Sequence, residues 1–325
     1  MLYLTHDMGT VPFESTYTSV RHDTKSAATK SKKNTDCYVF RLEPVATVSD
    51  HWAVHARLDA NGNYSKDTSE SVKLMRAWAE GQYGLLNVKL GKLPNAVNLI
   101  SITDDPYSGA SLSYGDKWKV TAEAGRIDDA NFGDMSRNAN GLLGNNAFAD
   151  NDDTANYQAL MFSHTSGKFA GDAAYQHLSD TFDQSELPVA YYRNQTGRTD
   201  YKADIWSFKG KYHFDKNDYL KFEYADNTKA DNENKSYSIE YGYKGARMAD
   251  PGTWGMYLAY RSLGQYASPW GTYDDGVDNG QKGVEAGVSW TMFRNTQFFG
   301  KYFYGKDRVA DTDAQKIFAR IDVFF

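Results

Sequence analysis

Arg41, Arg57, Arg76, Lys89 and Arg320 each fall on the polar side of a segment in which apolar and polar residues alternate, and His55, Lys119 and Arg261 share that register. Period-two alternation marks a strand with one oily and one wet face. Cations lined up on a wet wall create a fixed positive field. Set against acids across a narrow gap, they would orient dipolar solutes and slow apolar ones. An acidic pair is at hand in Asp104 and Asp105, within "LPNAVNLISITDDPYSG", 93–109. That connection also carries Leu93, Val97, Leu99, Ile100 and Ile102, which a freely solvated loop has little reason to contain. Packed against a wall they would anchor the loop while the aspartates face the gap. The plainer reading, weighed equally, makes Asp104 and Asp105 turn residues before Pro106.

Other chemistries find less support. Cys37 stands alone, so neither an internal disulfide nor a cysteine metal cluster can form. The sequence has no G-x-S-x-G elbow, no H-E-x-x-H and no phosphate-cradling glycine loop, and no enzyme activity is expected. His177, outward by register near a strand end, reads as an interfacial residue rather than part of a lipid-facing hydrolase. Acids at 128–134 and 150–153, and Asp274, Asp275 and Asp278, have no EF-hand spacing. They read as solvated loop acids, with loop-bound calcium the weaker expectation and no other cofactor.

The elements that must position the basic wall are strands from end to end. Clean alternation runs through 52–59, 117–124, 237–244, 254–261 and 284–292, and no 3.6-residue apolar stripe competes with it. Between them, short links (48–51, 83–84, 115–116, 165–167, 215–218, 249–252, 294–295) alternate with long ones (23–34, 60–70, 93–107, 127–154, 180–200, 227–234, 263–281, 306–314). Such a meander has about sixteen strands, with short turns at one end and long loops at the other. The first strand, near 13–22, is weakly marked, and 296–305 carries aromatics on both faces, leaving its register open. An open sheet of this size would leave unpaired edges, and a closed one encloses a space too wide for side chains to fill. The wet face then points inward and the oily face outward, which requires lipid outside. The inward register adds Lys209, Lys211, Lys221 and Lys316 to the basic wall.

Composition agrees. Aromatic residues make up 15% of the chain, with 24 tyrosines, and Trp52, Trp118, Trp254 and Trp290 fall near strand ends, where an interfacial girdle would lie. No apolar run is long enough for a spanning helix. The net charge of -6 argues against a nucleic-acid partner. The N-terminus has no basic segment followed by an apolar core, so the sequence is expected to be a piece of a longer chain.

Three stretches resemble a known family. "KIFARIDVFF", 316–325, is similar to the closing strand of Gram-negative outer-membrane general porins. There a final aromatic, here Phe325, is read by the barrel-insertion machinery. "RAWAEGQYGLLNVKLGKLP", 76–94, resembles the porin hairpin that leads through a Gly-basic pair, Gly91-Lys92, into the third long loop. With "DHWAVHARLD", 50–59, the likeness is closest to the OmpM-type porins of diderm Firmicutes, the Negativicutes. The resemblance implies an all-β, closed transmembrane up-and-down barrel over 1–325 as one domain, with short periplasmic turns and a third long loop folded into the lumen. It further implies an outer-membrane homotrimer passing small hydrophilic solutes and ions. Its constriction would be lined by Arg41, His55, Arg57, Arg76, Lys89, Lys92, Asp104, Asp105, Lys119, Arg261 and Arg320. Such relatives reach peptidoglycan through an N-terminal surface-layer-homology domain and stalk, neither of which this sequence shows. Basic staves facing acidic loops would favour anions weakly. Ala77, Ala79 and Gly81, small and outward, suit a subunit interface. Alternative expectations are a substrate-selective channel with inward aromatics, a barrel serving only as a membrane anchor, and a soluble glycan-binding β protein.

Overall fold

The computed structural model describes residues 12–17, 37–62, 72–99, 106–128, 154–181, 200–230, 232–268 and 276–324. They form seventeen strands and no helix. In chain order these are β1 (Pro12–Tyr17), β2 (Cys37–Leu42), β3 (Val45–Thr47), β4 (Trp52–Gly62), β5 (Val72–Tyr83), β6 (Leu86–Leu93), β7 (Tyr107–Gly115), β8 (Trp118–Asp128) and β9 (Thr154–Ser166). Then come β10 (Phe169–Thr181), β11 (Asp200–His213), β12 (Asp218–Asn227), β13 (Lys235–Lys244), β14 (Trp254–Ser262), β15 (Gln281–Phe293), β16 (Thr296–Asp307) and β17 (Asp313–Phe324).

Every pairing is antiparallel, and each stave binds its neighbours in sequence. β1 pairs with both β2 and β17, which closes the ring. β2 and β3 both lie against β4 and share one stave, so seventeen strands make sixteen staves. Their break falls at Glu43-Pro44, where proline has no N–H to give the ladder. Of the span marked for the first strand, near 13–22, residues 13–17 are strand and 18–22 lie outside the described residues.

The short links sit where expected, at one end. Four are two-residue hairpins: Gly84-Leu85, Asp116-Lys117, Gly167-Lys168 and Arg294-Asn295. Gly84 and Asn295 take positive φ (61° and 60°), the conformation tight hairpins demand and these residues tolerate best. In the β11–β12 turn, Asp215 accepts the backbone N–H of Asn217 and of Asp218. Those two bonds hold its carboxyl below the usual range.

Alternation is inverted relative to a water-soluble protein. Leu90, Leu112, Phe162, Trp206, Phe222, Ile239, Leu258, Val288 and Ile317 are all exposed on the outer wall. An apolar band running over the described staves from β4 to β17 far exceeds the patches that soluble monomers leave in water, and it needs an apolar medium outside. At the short-turn end the outer wall carries aromatics. Trp52 donates to the Tyr83 hydroxyl at 2.7 Å, Trp118 stacks on His164 at 3.8 Å, and Lys244 lies over Trp254. The register of 296–305 is settled: Phe299, Lys301 and Phe303 point inward, opposite Ser289, Gly287 and Glu285, while Phe298, Tyr302 and Tyr304 point out.

Candidate functional site

Two connections fold into the ring from the long-loop end. After β6 the chain turns inward, burying Leu93, Val97 and Leu99 against Tyr107, Ile127, Tyr157, Met161, Ala174 and Leu178 of the adjoining wall, β7–β10. These anchors are the ones the sequence marked; Ile100 and Ile102 lie outside the described residues. Full burial of three such side chains contributes roughly 5–9 kcal/mol. Ordering the backbone of a seven-residue segment costs about as much. Polar contacts therefore decide the position. Asn95 takes a 2.8 Å bond from the Tyr157 hydroxyl, Ala96 N–H donates to Glu123, and Lys209 donates to the Asn98 carbonyl at 3.0 Å.

The second inward connection, between β14 and β15, has no counterpart in the sequence reading. Leu263 and Val277 are buried with Phe303 and Ala314. Gln265, Ser268 and Asn279 are buried as well, and Asp278 accepts from Lys316 at 3.0 Å. Tyr266 packs against the cluster that also holds the first loop, and its carbonyl accepts from Asn227 at the end of β12.

The basic residues mostly stand on the inner wall, where several of them lie close to acids of the same wall, although acids were expected to concentrate in the loops. Arg41 and Arg57 share Asp59, Arg41 through a 3.0 Å contact and Arg57 through one of 2.7 Å. Arg76 lies directly opposite Arg57. His55 stacks on Trp78 with centroids 4.7 Å apart and approaches Glu80 at 3.2 Å, and Lys89 stands 3.6 Å from the same carboxylate. Lys119 is inward by register, opposite Ser163. Arg320 binds Asp322 at 2.9 Å and lies over the Phe299 ring.

Two expected lining residues are placed otherwise. Lys92 shares the outward face of Val88 and Leu90, because Leu93, with Lys89, takes the inward register that starts the folded loop. Arg261 points inward but is buried between Glu240 (2.8 Å) and Glu285 (2.9 Å), with Ser238 at 2.6 Å, and so presents no charge to water. Asp104, Asp105 and Phe325 lie outside the described residues, as do most of the loop acids considered for calcium. Among the described residues, no group of three or more His, Cys, Asp or Glu could hold a metal ion.

The wall opposite the first loop repeats one unit. Tyr219 lies flat over Gly242 and donates to Glu240 at 3.0 Å; Tyr257 lies flat over Gly287 and donates to Glu285 at 2.9 Å. Arg261 joins both carboxylates. Lys211 caps the Tyr219 ring at 3.9 Å.

A sixteen-stave closed meander, short turns at one end and an inward loop after the sixth strand are the marks of one architecture. The fold is that of the porins. A double mutant of Rh. blastica porin is similar over 98% of both chains, with a TM-score of 0.56 and 11% identity. OmpT, an outer-membrane protein of Vibrio cholerae folded in vitro and solved in its trimer form, matches over 98% of both chains with a TM-score of 0.54 and 14% identity. A structure described as engineered proteins of asymmetric conductivity matches at 0.57 and 10% identity, again over 98% of both. No family model and no curated protein matches the sequence. At such identities the porin fold is shared while side chains are not, so function has to be argued from this chain's own residues.

Proposed function

We propose that the chain forms an outer-membrane channel through which small hydrophilic solutes diffuse passively, with a preference for anions. Charge layering on the inner wall is the observation that carries this reading. Asp59 is 4% exposed beneath Arg41 and Arg57, at 18% and 15%; Glu223 is 4% exposed beside Lys221 at 26%; Asp322 is 3% exposed beside Arg320 at 27%. The acids neutralise the wall from below while the cations meet the water. A passing ion feels the nearer layer, since the screening length at physiological salt, about 8 Å, is only slightly larger than one side chain.

The inward loop supports the channel reading by narrowing one side of a lumen whose other wall is rigid. A substrate-selective channel would need exposed lumen aromatics. Phe303 and Phe318 are instead buried, Phe299 is half-buried with Arg320 over its ring, and Tyr219 and Tyr257 are tied down by their hydroxyls. Within this reading, assembly as a homotrimer through the Ala77, Ala79 and Gly81 face and insertion by the barrel-assembly machinery are further proposals, the second resting on Phe325. Anchoring to peptidoglycan would require a domain outside this sequence.

Single-channel recording in planar bilayers tests the proposal. Ohmic steps that do not saturate with sugars, and a reversal potential in a KCl gradient displaced toward the chloride equilibrium value, are expected. Folded, inserted protein that carries no current would refute it.

A further inference from the structure

Lys211 and Lys221 stand directly opposite each other on the inner face of β11 and β12. Like charges in that relation repel, and a sheet ordinarily avoids them. Lys221 is compensated by Glu223, which lies 2.9 Å away and is 4% exposed. For Lys211 the protein supplies no such partner. Among the described residues it has no ion pair or hydrogen bond, and its half-buried ammonium lies 3.9 Å over the Tyr219 ring. Glu240, which accepts from the hydroxyl of that ring, is already joined to Arg261. On the β10 side Lys211 faces Ala170, whose methyl offers no acceptor. The pair lies just below the first inward loop. Lys209, one inward step up β11, donates to the Asn98 carbonyl of that loop, and His213, one step down, packs against Tyr219 with ring centroids 5.8 Å apart.

On the reading of the chain as a channel, we infer that Lys211, Lys221 and His213 form a binding site for inorganic phosphate on the short-turn side of the loop. A local rule broken without compensation inside the protein is the mark of a group that acts on something outside it. Directly opposed side chains start about 5 Å apart at Cβ, so two lysines can close on one small anion and lose their mutual repulsion. Glu223 holds Lys221 from below, which leaves the water side of both ammoniums to the ligand. Charge-assisted bonds from ammonium to phosphate oxygen are among the stronger ones. Lys211 and His213 both gather on the Tyr219 ring, so the imidazole stands beside the cations. Each ammonium brings three donors, and a neutral imidazole can also accept. Phosphate suits that set because it is rich in acceptors and still carries a proton to donate. Sulfate at neutral pH has none to give, and chloride makes no directed bonds.

A conductance measurement and one that needs no channel test the inference together. In planar bilayers at constant ionic strength, inorganic phosphate added to a chloride solution is expected to lower the chloride current saturably, and sulfate to do so more weakly. In detergent, the phosphorus NMR line of inorganic phosphate is expected to broaden when folded protein is added. Lys211→Gln and Lys221→Gln should each raise the half-effective phosphate concentration about tenfold, the loss of one charge-assisted bond. Lys211→Arg, which keeps the charge, should restore most of the parental affinity. Lys301→Gln removes one inward charge from β16, away from the pair, and is expected to bind phosphate as the parent does. Equal loss in Lys301→Gln, unchanged affinity in both glutamine variants of the pair, or sulfate acting as strongly as phosphate would each overturn the inference. Conducting protein indifferent to phosphate would overturn the inference alone. Folded protein that broadens the phosphate line but carries no current would overturn the channel reading and leave the site standing.

Discussion

Arg261 contacts Glu285 at 2.9 Å with the two side chains 1% and 0% exposed, and a second carboxylate, that of Glu240, reaches the same guanidinium. One cation thus holds two acids inside the wall, and removing it would leave both uncompensated. The arginine's place is structural even though its register is that of a lining residue.

Arg261→Met is therefore expected to destabilise the barrel by about 3–5 kcal/mol, the usual cost of orphaning buried charge. Urea unfolding in lipid vesicles measures it. Adding Glu240→Gln and Glu285→Gln should restore much of the loss; no recovery in the triple variant would mean that packing over Tyr257, not charge, gives Arg261 its value.

Asp59 has the opposite role, since it lies beneath two cations that do meet water. Asp59→Asn leaves Arg41 and Arg57 without their shared counter-charge. The anion-over-cation permeability ratio is expected to rise by about twofold. Arg57→Glu should lower it and move the reversal potential toward the potassium side. If both variants shift the potential in the same direction, the layered wall does not set selectivity.

Architecture was legible because period-two alternation and the order of long and short links are local properties, visible in segments such as 284–292. The anchors Leu93, Val97 and Leu99 were legible for a similar reason, as apolar residues in a connection with no strand of its own. Ion pairing was harder to read. Arg57 with Asp59, Lys221 with Glu223 and Arg320 with Asp322 are spaced two apart on one face, a signal present in the sequence that names the partner within a strand. The Arg261 cluster gives no such signal, because Glu240 and Glu285 come from neighbouring strands whose pairing offset only the fold supplies. Lys92 was misplaced because proximity to a lumen loop says nothing about parity, and the inward turn begins at Leu93.

Tyr157 connects the first inward loop to the wall by donating toward Asn95 at 2.8 Å and Glu123 at 2.9 Å. Tyr157→Phe keeps the ring and removes both contacts, at about 1–3 kcal/mol for buried groups left short of a partner. A looser loop is expected to raise current noise and mean conductance, with the barrel's unfolding free energy in urea lowered by no more than that amount. A quiet channel of parental conductance would show that apolar burial alone fixes the loop.

Gly242 and Gly287 are required by their neighbours rather than by their own backbone, for neither has a positive φ. A Cβ on Gly242 would clash with the hydroxyl edge of the Tyr219 ring, and one on Gly287 with the same edge of Tyr257. Gly242→Ala must therefore lift Tyr219 from the wall, breaking its bond to Glu240 and pushing the ring with Lys211 into the lumen. Overpacking of this kind costs about 1–3 kcal/mol. The channel is also expected to narrow, so conductance should fall in Gly242→Ala and return in the double variant with Tyr219→Ala. Stability should recover only in part, because the double variant forfeits the ring's packing. If conductance falls in the single variant and stays low in the double, the narrowing comes from the strand and not from the displaced tyrosine.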